Sequence, residues 1–426
     1  MSTFVKTLKN ADLRKRILFT LMIFVIYRLG SYIPVPTINV AVLEGAFENT
    51  MFGFMDALSG GALQRFSIFA MSISPYITAS IVIQLLQMDI VPVLSEWAKE
   101  GENGKRKLNQ LTKYVSLVLA FIQAITMAIG FNLLYGGILL QSHSLWVYFY
   151  IGIVMTAGTA VLLFLADQIT AKGIGNGVSM LIIAGIVSRM PSMVIDIYER
   201  YFTVVNWVNV LGATTVISLM LVTIIGVIYL QSATRKLPIQ YANRHNSGQL
   251  SGGKDSFIPF KLNSAGVIPV IFAVSVVSLP MTIVSIFPES NMGNIVEMIF
   301  DITRPIGLLL YVILIGVFTY FYSFVQVSPE KIAENLKKQG SYIPGVRPGA
   351  DTETYLSKVL SRVTFIGAIY LIVIACLPIV LGFVIDFPDS VQIGGTSILI
   401  VVGVALETAK QINNKNMDKQ YRAFIK

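Results

Sequence analysis

Long apolar runs, broken by short charged or Gly/Pro-rich stretches, set the pattern of the 426-residue chain. Between Lys113 and Asp167 lie 53 consecutive residues without Asp, Glu, Lys or Arg; 34 more lie between Arg200 and Arg235, and 27 between Lys261 and Glu289. A bilayer core takes about 20 apolar residues per helical span, so the 53-residue stretch holds two. Tyr135-Gly136-Gly137 supplies the turn between them. Read this way, the chain predicts ten membrane helices, at about 16–33, 67–89, 112–134, 146–167, 174–195, 207–230, 264–287, 305–327, 361–384 and 391–409. Ten divides as five plus five. A repeat of odd length forces its two copies into opposite orientations, with a functional site expected near the midplane between them.

Composition agrees: 54% of the residues are apolar and 13% charged, against about 25% charged in soluble domains. The charges that exist are placed asymmetrically. Of 32 Lys and Arg, 27 fall on one side: at the N-terminus, in 91–113, at Lys172, in 231–263, in 328–362 and in 410–426. Arg65, Arg189, Arg200 and Arg304 fall on the other, and Arg28 lies within the first span. The positive-inside rule then puts both termini in the cytoplasm. Lys6, Lys9, Arg14, Lys15 and Arg16 precede the first apolar run as in a signal peptide, but no small-residue cleavage site follows. Trp146, Tyr148 and Tyr150 suit an interfacial aromatic belt. The polar tail, Lys410 to Lys426, is expected to fray. The basic loops 231–263 and 328–360 are longer than a connection needs. They read either as anchors for anionic lipid or as docking surfaces, and Pro329–Lys338 within the second reads as a short helix.

The segment after the first span carries the most information. It ends in Met55-Asp56-Ala57-Leu58-Ser59-Gly60-Gly61-Ala62-Leu63-Gln64-Arg65, too short and polar to cross a membrane and too apolar for a free external loop. Broken backbone at membrane depth survives when buried in protein or lining a cavity. A re-entrant half-helix, jointed at Gly60-Gly61 to a full span over Phe66–Met88, is the reading set against an ordinary loop. Small-solute transporters carry ionisable groups within their spans, whereas Asp167, Arg189, Asp386 and Glu407 all fall near predicted helix ends. What the helices offer instead is apolar pairs at i, i+4, Ile77 with Ile81 and Val178 with Ile182. Such pairs are either simple packing or, if several meet at one level, a dewetting constriction that blocks ions. Gly173-Ile174-Gly175-Asn176-Gly177 joins two membrane helices and reads as a tight turn rather than a phosphate loop. Cys376 reads as a packed small hydrophobe, and His143 and His245 fall on opposite sides, so neither metal nor cofactor is expected. No catalytic constellation is expected either.

Four stretches resemble signatures of the bacterial SecY family, in the family's order: Phe69–Leu86 (FAMSISPYITASIVIQLL), Ala171–Met180 (AKGIGNGVSM), Asn263–Phe272 (NSAGVIPVIF) and Tyr342–Gly349 (YIPGVRPG). The resemblance implies an all-α polytopic membrane protein in which two inverted five-helix halves, 1–200 and 201–410, enclose a central pore, followed by a cytoplasmic tail over 411–426. It implies that Met55–Arg65 is a plug and that Ile77, Ile81, Val178, Ile182, Ile271 and Ile400 form an apolar pore ring. The second and seventh spans would make a lateral gate. The resemblance further implies a channel in the bacterial cytoplasmic membrane for unfolded secretory polypeptides, which releases membrane segments into lipid and binds no nucleotide itself. Implied partners are SecE, SecG, the SecA motor, the ribosome, signal peptides and preproteins, with Arg235, Lys236, Arg244 and Arg347 as docking residues. The Ser/Gly-rich tip over 243–255 departs from the family pattern in having few basic residues. An accessory member for specialised substrates and a small-solute transporter are the alternatives.

Overall fold

The computed structural model describes residues 11–43, 53, 55–56, 59–88, 90–140, 144–202, 207–241, 256–284, 291–384 and 389–424. Ala57, Leu58 and Arg244 lie outside these residues. Among the described residues, ten helices fall where the ten apolar runs were expected. In the first half they are α1 (Ala11–Ser31), α2 (Ser74–Leu86), α4 (Glu102–Leu134), α5 (Leu145–Lys172) and α6 (Gly177–Phe202). In the second they are α7 (Trp207–Ser232), α8 (Ile268–Val284), α10 (Pro305–Gln326), α12 (Ala350–Val384) and α13 (Asp389–Phe424). Three short helices sit between them: α3 (Pro92–Lys99), α9 (Asn291–Phe300) and α11 (Pro329–Lys338). Six of the described helices are long and apolar enough to cross a membrane by length and composition alone, and α2 and α8 are shorter apolar helices. Outward-facing Leu18, Met22, Val25 and Leu29 on α1 continue this character: exposed apolar rows are what lipid, rather than water, stabilises.

The principal helix contacts repeat. In the first half α1 packs on α5 and α6, α2 on α4, α4 on α5, and α5 on α6. In the second, α7 packs on α12 and α13, α8 on α10, α10 on α12, and α12 on α13. Matched by rank along the chain, the five helices of each half have the same neighbours. The halves meet along two seams, one where α6 touches α7 and α13, the other where α8 touches α2 and α4. Within the first half, packing is close because small side chains recur every fourth residue on α4: Thr112, Ser116, Ala120, Ala124 and Ala128 are all buried. Such stripes let helix backbones approach where no hydrophobic effect drives them together.

Three expectations need correction. The second span is not one helix over 67–89. Residues 66–73 form consecutive turns and α2 begins only at Ser74. Phe66 and Ser72 adopt left-handed backbone (φ 43° and 49°), which a helix does not accommodate. This irregular stretch is tolerated because its polar backbone is satisfied by protein: Val35 N–H donates to Phe66 O (2.9 Å), Ile68 N–H to Ile33 O (3.0 Å) and Ser67 N–H to Ala62 O (2.9 Å). Gly158 of α5 lies so close that a Cβ there would stand 1.9 Å from Ile68 O.

The second correction concerns the loop 231–263, which contains antiparallel strands β1 (Thr234–Tyr241) and β2 (Ser256–Lys261). With β3 (Ser341–Tyr342) they form a three-stranded sheet in the order β2-β1-β3, so the two large loops are joined. Leu237, Phe260, Ile343, Leu356 and Leu360 make a small core beneath it, closed by Ala333 of α11. The α11 boundaries match the expected Pro329–Lys338, with the Ser328 hydroxyl accepting from Lys331 N–H as an N-cap. The third concerns the tail: α13 continues as helix to Phe424 instead of fraying at Lys410. Lys410 Nζ donates to Gln231 O at the end of α7 (3.0 Å), which ties its base to the preceding helices.

Candidate functional site

Residues of α2, α6 and α8 surround a small cavity. Ile77 of α2, Ile182 of α6, and Ile271 and Val274 of α8 line it, with Ser72, Ser74, Ser275 and Ser278 adding hydroxyls and Met55 closing one side. On α8 the Ser275 and Ser278 hydroxyls donate back to Ile271 O and Ser275 O (both 2.9 Å). The wall therefore presents methyl and methylene groups, with few donors left over. Three of the six expected ring residues, Ile77, Ile182 and Ile271, thus meet around one space. Ile81 and Ile400 are buried in the same apolar cluster, and Val178 packs against it. These last three are not among the cavity's lining residues.

Helical residues at 53, 55, 56 and 59 precede a turn at Gly60-Gly61. Asp56 is fully buried, and its two carboxylate oxygens are divided. Oδ1 accepts from Gln64 N–H (2.8 Å) within the segment, while Oδ2 takes the Arg189 guanidinium of α6. The Ser59 hydroxyl donates to Asp56 O (2.9 Å) and accepts from Leu63 N–H (3.2 Å), so the segment has its own internal bonding. Three further contacts fix it to the wall. Tyr27 Oη donates to Ser59 O (2.8 Å), Arg28 Nη1 donates to Gly60 O (2.7 Å), and Gly60 packs on the Gly185 backbone of α6. Arg65 lies over the Tyr32 ring, 3.9 Å from its centroid. Ala62 and Leu63 are fully buried, and Gln64 is half-buried. Gly60-Gly61 is therefore a seated turn, not the loose joint that the sequence suggested.

Sequence reasoning missed Tyr27, Arg28, Gly185 and Arg189 as partners of this segment. One signal was available: Asp56 is an acidic residue in a half-buried segment, and a buried carboxylate requires a cation or several donors. Arg189, near the end of an otherwise uncharged run, was the natural candidate.

On the sheet side, Arg235 and Lys236 stand exposed on β1, with Lys236 Nζ 4.7 Å from the Phe257 ring centroid. Arg347 is exposed in the turn before α12, and its carbonyl accepts from the Thr352 hydroxyl (2.7 Å). Because β1 pairs with both β2 and β3, Arg235, Lys236 and Arg347 belong to one sheet-centred unit. Cys376 is buried, as expected of a packed hydrophobe.

A family model described as SecY matches residues 67–409. A protein translocase subunit SecY from Bacillus licheniformis is 47% identical over 428 residues, covering 99% of this chain and 99% of the relative. The Staphylococcus aureus protein of the same name is 48% identical over 435 residues, covering 100% of this chain and 99% of the relative. Among solved structures, one described as a protein conducting channel superposes with a TM-score of 0.68 at 18% identity, covering 96% of this chain and 94% of that one. Sec61 from a canine ribosome-channel complex superposes with a TM-score of 0.65 at 17% identity, covering the same shares. These two likenesses concern the fold. The likeness in sequence extends over the whole chain, and the chain therefore belongs to the SecY family of protein translocase subunits.

Proposed function

We propose that this chain is the pore of a membrane translocase, closed in this conformation by the segment around Met55–Arg65. Unfolded secretory polypeptides pass through it, and apolar segments leave sideways into lipid. The observation that carries the reading is the sharing of one cavity by Met55 with Ile77, Ile182 and Ile271. A pore for many sequences cannot depend on the chemistry of one substrate. A deformable apolar ring, with Ile81, Val178 and Ile400 completing it, seals against varied side chains while opposing ion leak.

Two features support lateral release. The α8 seam with α2 and α4 lacks a chain connection between the halves, whereas the opposite seam is bridged by the α6–α7 link. The repeated contact pattern supports reading 1–200 and 201–410 as two bodies that would separate, inverted if each has five spans. The excess of Lys and Arg at the α1, α13 and sheet ends orients both termini and the sheet toward the cytoplasm of a bacterial inner membrane. There Arg235, Lys236, Arg244 and Arg347 would meet the SecA motor or a ribosome, which supply the driving force. SecE and SecG are the further subunits this reading requires.

The test is ion conductance of the reconstituted protein, intact and with residues 56–64 deleted. A quiet intact channel that leaks on deletion supports the reading. Equal conductance would make the segment an ordinary loop and remove the basis of the pore.

A further inference from the structure

The closing segment is held by an ion pair whose two members differ sharply in exposure. The Asp56 side chain is 1% exposed and that of Arg189 is 33% exposed. The Asp56 carboxylate also does two separate things, since Oδ1 holds the Gln64 N–H inside the segment and Oδ2 holds the α6 wall. Breaking the second bond leaves the first intact. The segment can then leave with its own fold preserved, whereas a charged carboxylate kept at that depth without its partner is strongly destabilising. Two other wall contacts are of another kind: Tyr27 and Arg28 bond the backbone carbonyls of Ser59 and Gly60, so they do not depend on a charge in the segment.

From this asymmetry we infer that Asp56 and Arg189 form an electrostatic latch that sets how firmly the pore is closed, with Arg189 the positioning residue and Asp56 the group it retains. The inference rests on the plug reading above and adds a residue-level determinant to it. Its consequence is unequal loss. Arg189→Gln leaves a buried carboxylate without its ion-pair partner, with only the weaker attraction of Arg65 remaining, which destabilises the seated segment. Asp56→Asn keeps an oxygen for Gln64 N–H and leaves an arginine that can hydrate, because a third of it is already exposed.

The experiment measures closed-state conductance of reconstituted wild type, Asp56→Asn, Arg189→Gln, Arg189→Lys, the double variant Asp56→Asn/Arg189→Gln and the 56–64 deletion. The expected result is that Arg189→Gln leaks at least about tenfold above wild type, approaching the deletion, because a buried charge has been left unpaired. Asp56→Asn leaks less, Arg189→Lys stays quiet, and the double variant leaks less than Arg189→Gln alone. A purely steric role for Arg189 would make the double variant at least as leaky as Arg189→Gln, and that outcome overturns the latch. So does a quiet Arg189→Gln beside a leaky deletion, which leaves the plug reading standing. A deletion that does not leak rejects the plug reading itself. If Arg189→Gln fails to accumulate in membranes, the comparison of Arg189→Lys with Asp56→Asn decides: equal conductance in both overturns the latch, and closure only with Lys supports it.

Discussion

Gly60 rests directly on the backbone of Gly185, and a Cβ at Gly60 would stand 2.8 Å from Gly185 O and 3.0 Å from its Cα. Its φ of +72° is also one that side chains rarely adopt. Two glycines from distant parts of the chain thus let the closing segment sit flush against α6. Gly60→Ala is expected to lift the segment from α6 and raise closed-state ion conductance several-fold, while leaving membrane yield near wild type. The same substitution at Gly61, where the nearest atom is the Arg65 guanidinium at 3.7 Å, meets no backbone and is expected to leak less. Paired conductance traces of the two variants check this.

Tyr27 offers a milder perturbation. Its hydroxyl is the donor to Ser59 O, and its ring stacks on Phe69 at 6.0 Å. Tyr27→Phe keeps the stacking and removes the hydroxyl's bond to Ser59 O, a loss of about 1 kcal/mol. The expected outcome is a roughly fivefold shift toward the open state, read as open probability in single-channel records, with no change in thermal stability beyond about 1 kcal/mol.

If the apolar ring seals as proposed, it forms a second barrier, independent of the Met55–Arg65 segment. Ile77→Thr, Ile182→Thr and Ile271→Thr together change shape little but put hydroxyls on three walls of the cavity, which favours wetting. The triple variant is expected to raise ion leak modestly with the plug in place, and by more than the deletion alone when residues 56–64 are also removed. Equal conductance for the deletion with and without the three threonines would place the seal elsewhere.

Under the proposed function, Arg347 should separate driving from sealing. Its side chain is exposed while its carbonyl is held by Thr352, so Arg347→Ala should fold normally. Motor-driven transport of a preprotein into vesicles is expected to fall at least about tenfold, the loss of a docking hot spot, with closed-state conductance unchanged. Retained transport would remove Arg347 from the docking surface.

Much of the architecture could be read from sequence because lipid imposes a length and a composition on every span. Ten apolar runs predict ten helices, and the loop helix Pro329–Lys338 follows from a proline start and its polar and apolar spacing. The irregular 66–73 stretch escaped for the same reason: an uncharged segment buried in protein has the composition of a helix, and the left-handed backbone at Phe66 and Ser72 leaves no mark on composition. The sheet was hidden by Arg235, Lys236 and Lys261, whose charge read as an open loop although Leu237 and Phe260 turn inward. The Asp56–Arg189 contact was hidden by distance along the chain, since the two residues are 133 apart. The family resemblance, not apolar spacing, named Ile77, Ile182 and Ile271 among six ring residues, and which of the six line the cavity depends on helix rotation, which spacing does not fix.

The sheet has a mechanical meaning. β1 leaves α7 after the single residue Ala233, Ala233 O accepts from Leu262 N–H (3.0 Å) beyond β2 on the way to α8, and β3 leads through Arg347 into α12. Three helices of the second half are therefore rooted in one stiff plate. A load borne by that sheet is therefore shared by the ends of α7, α8 and α12 rather than falling on one loop.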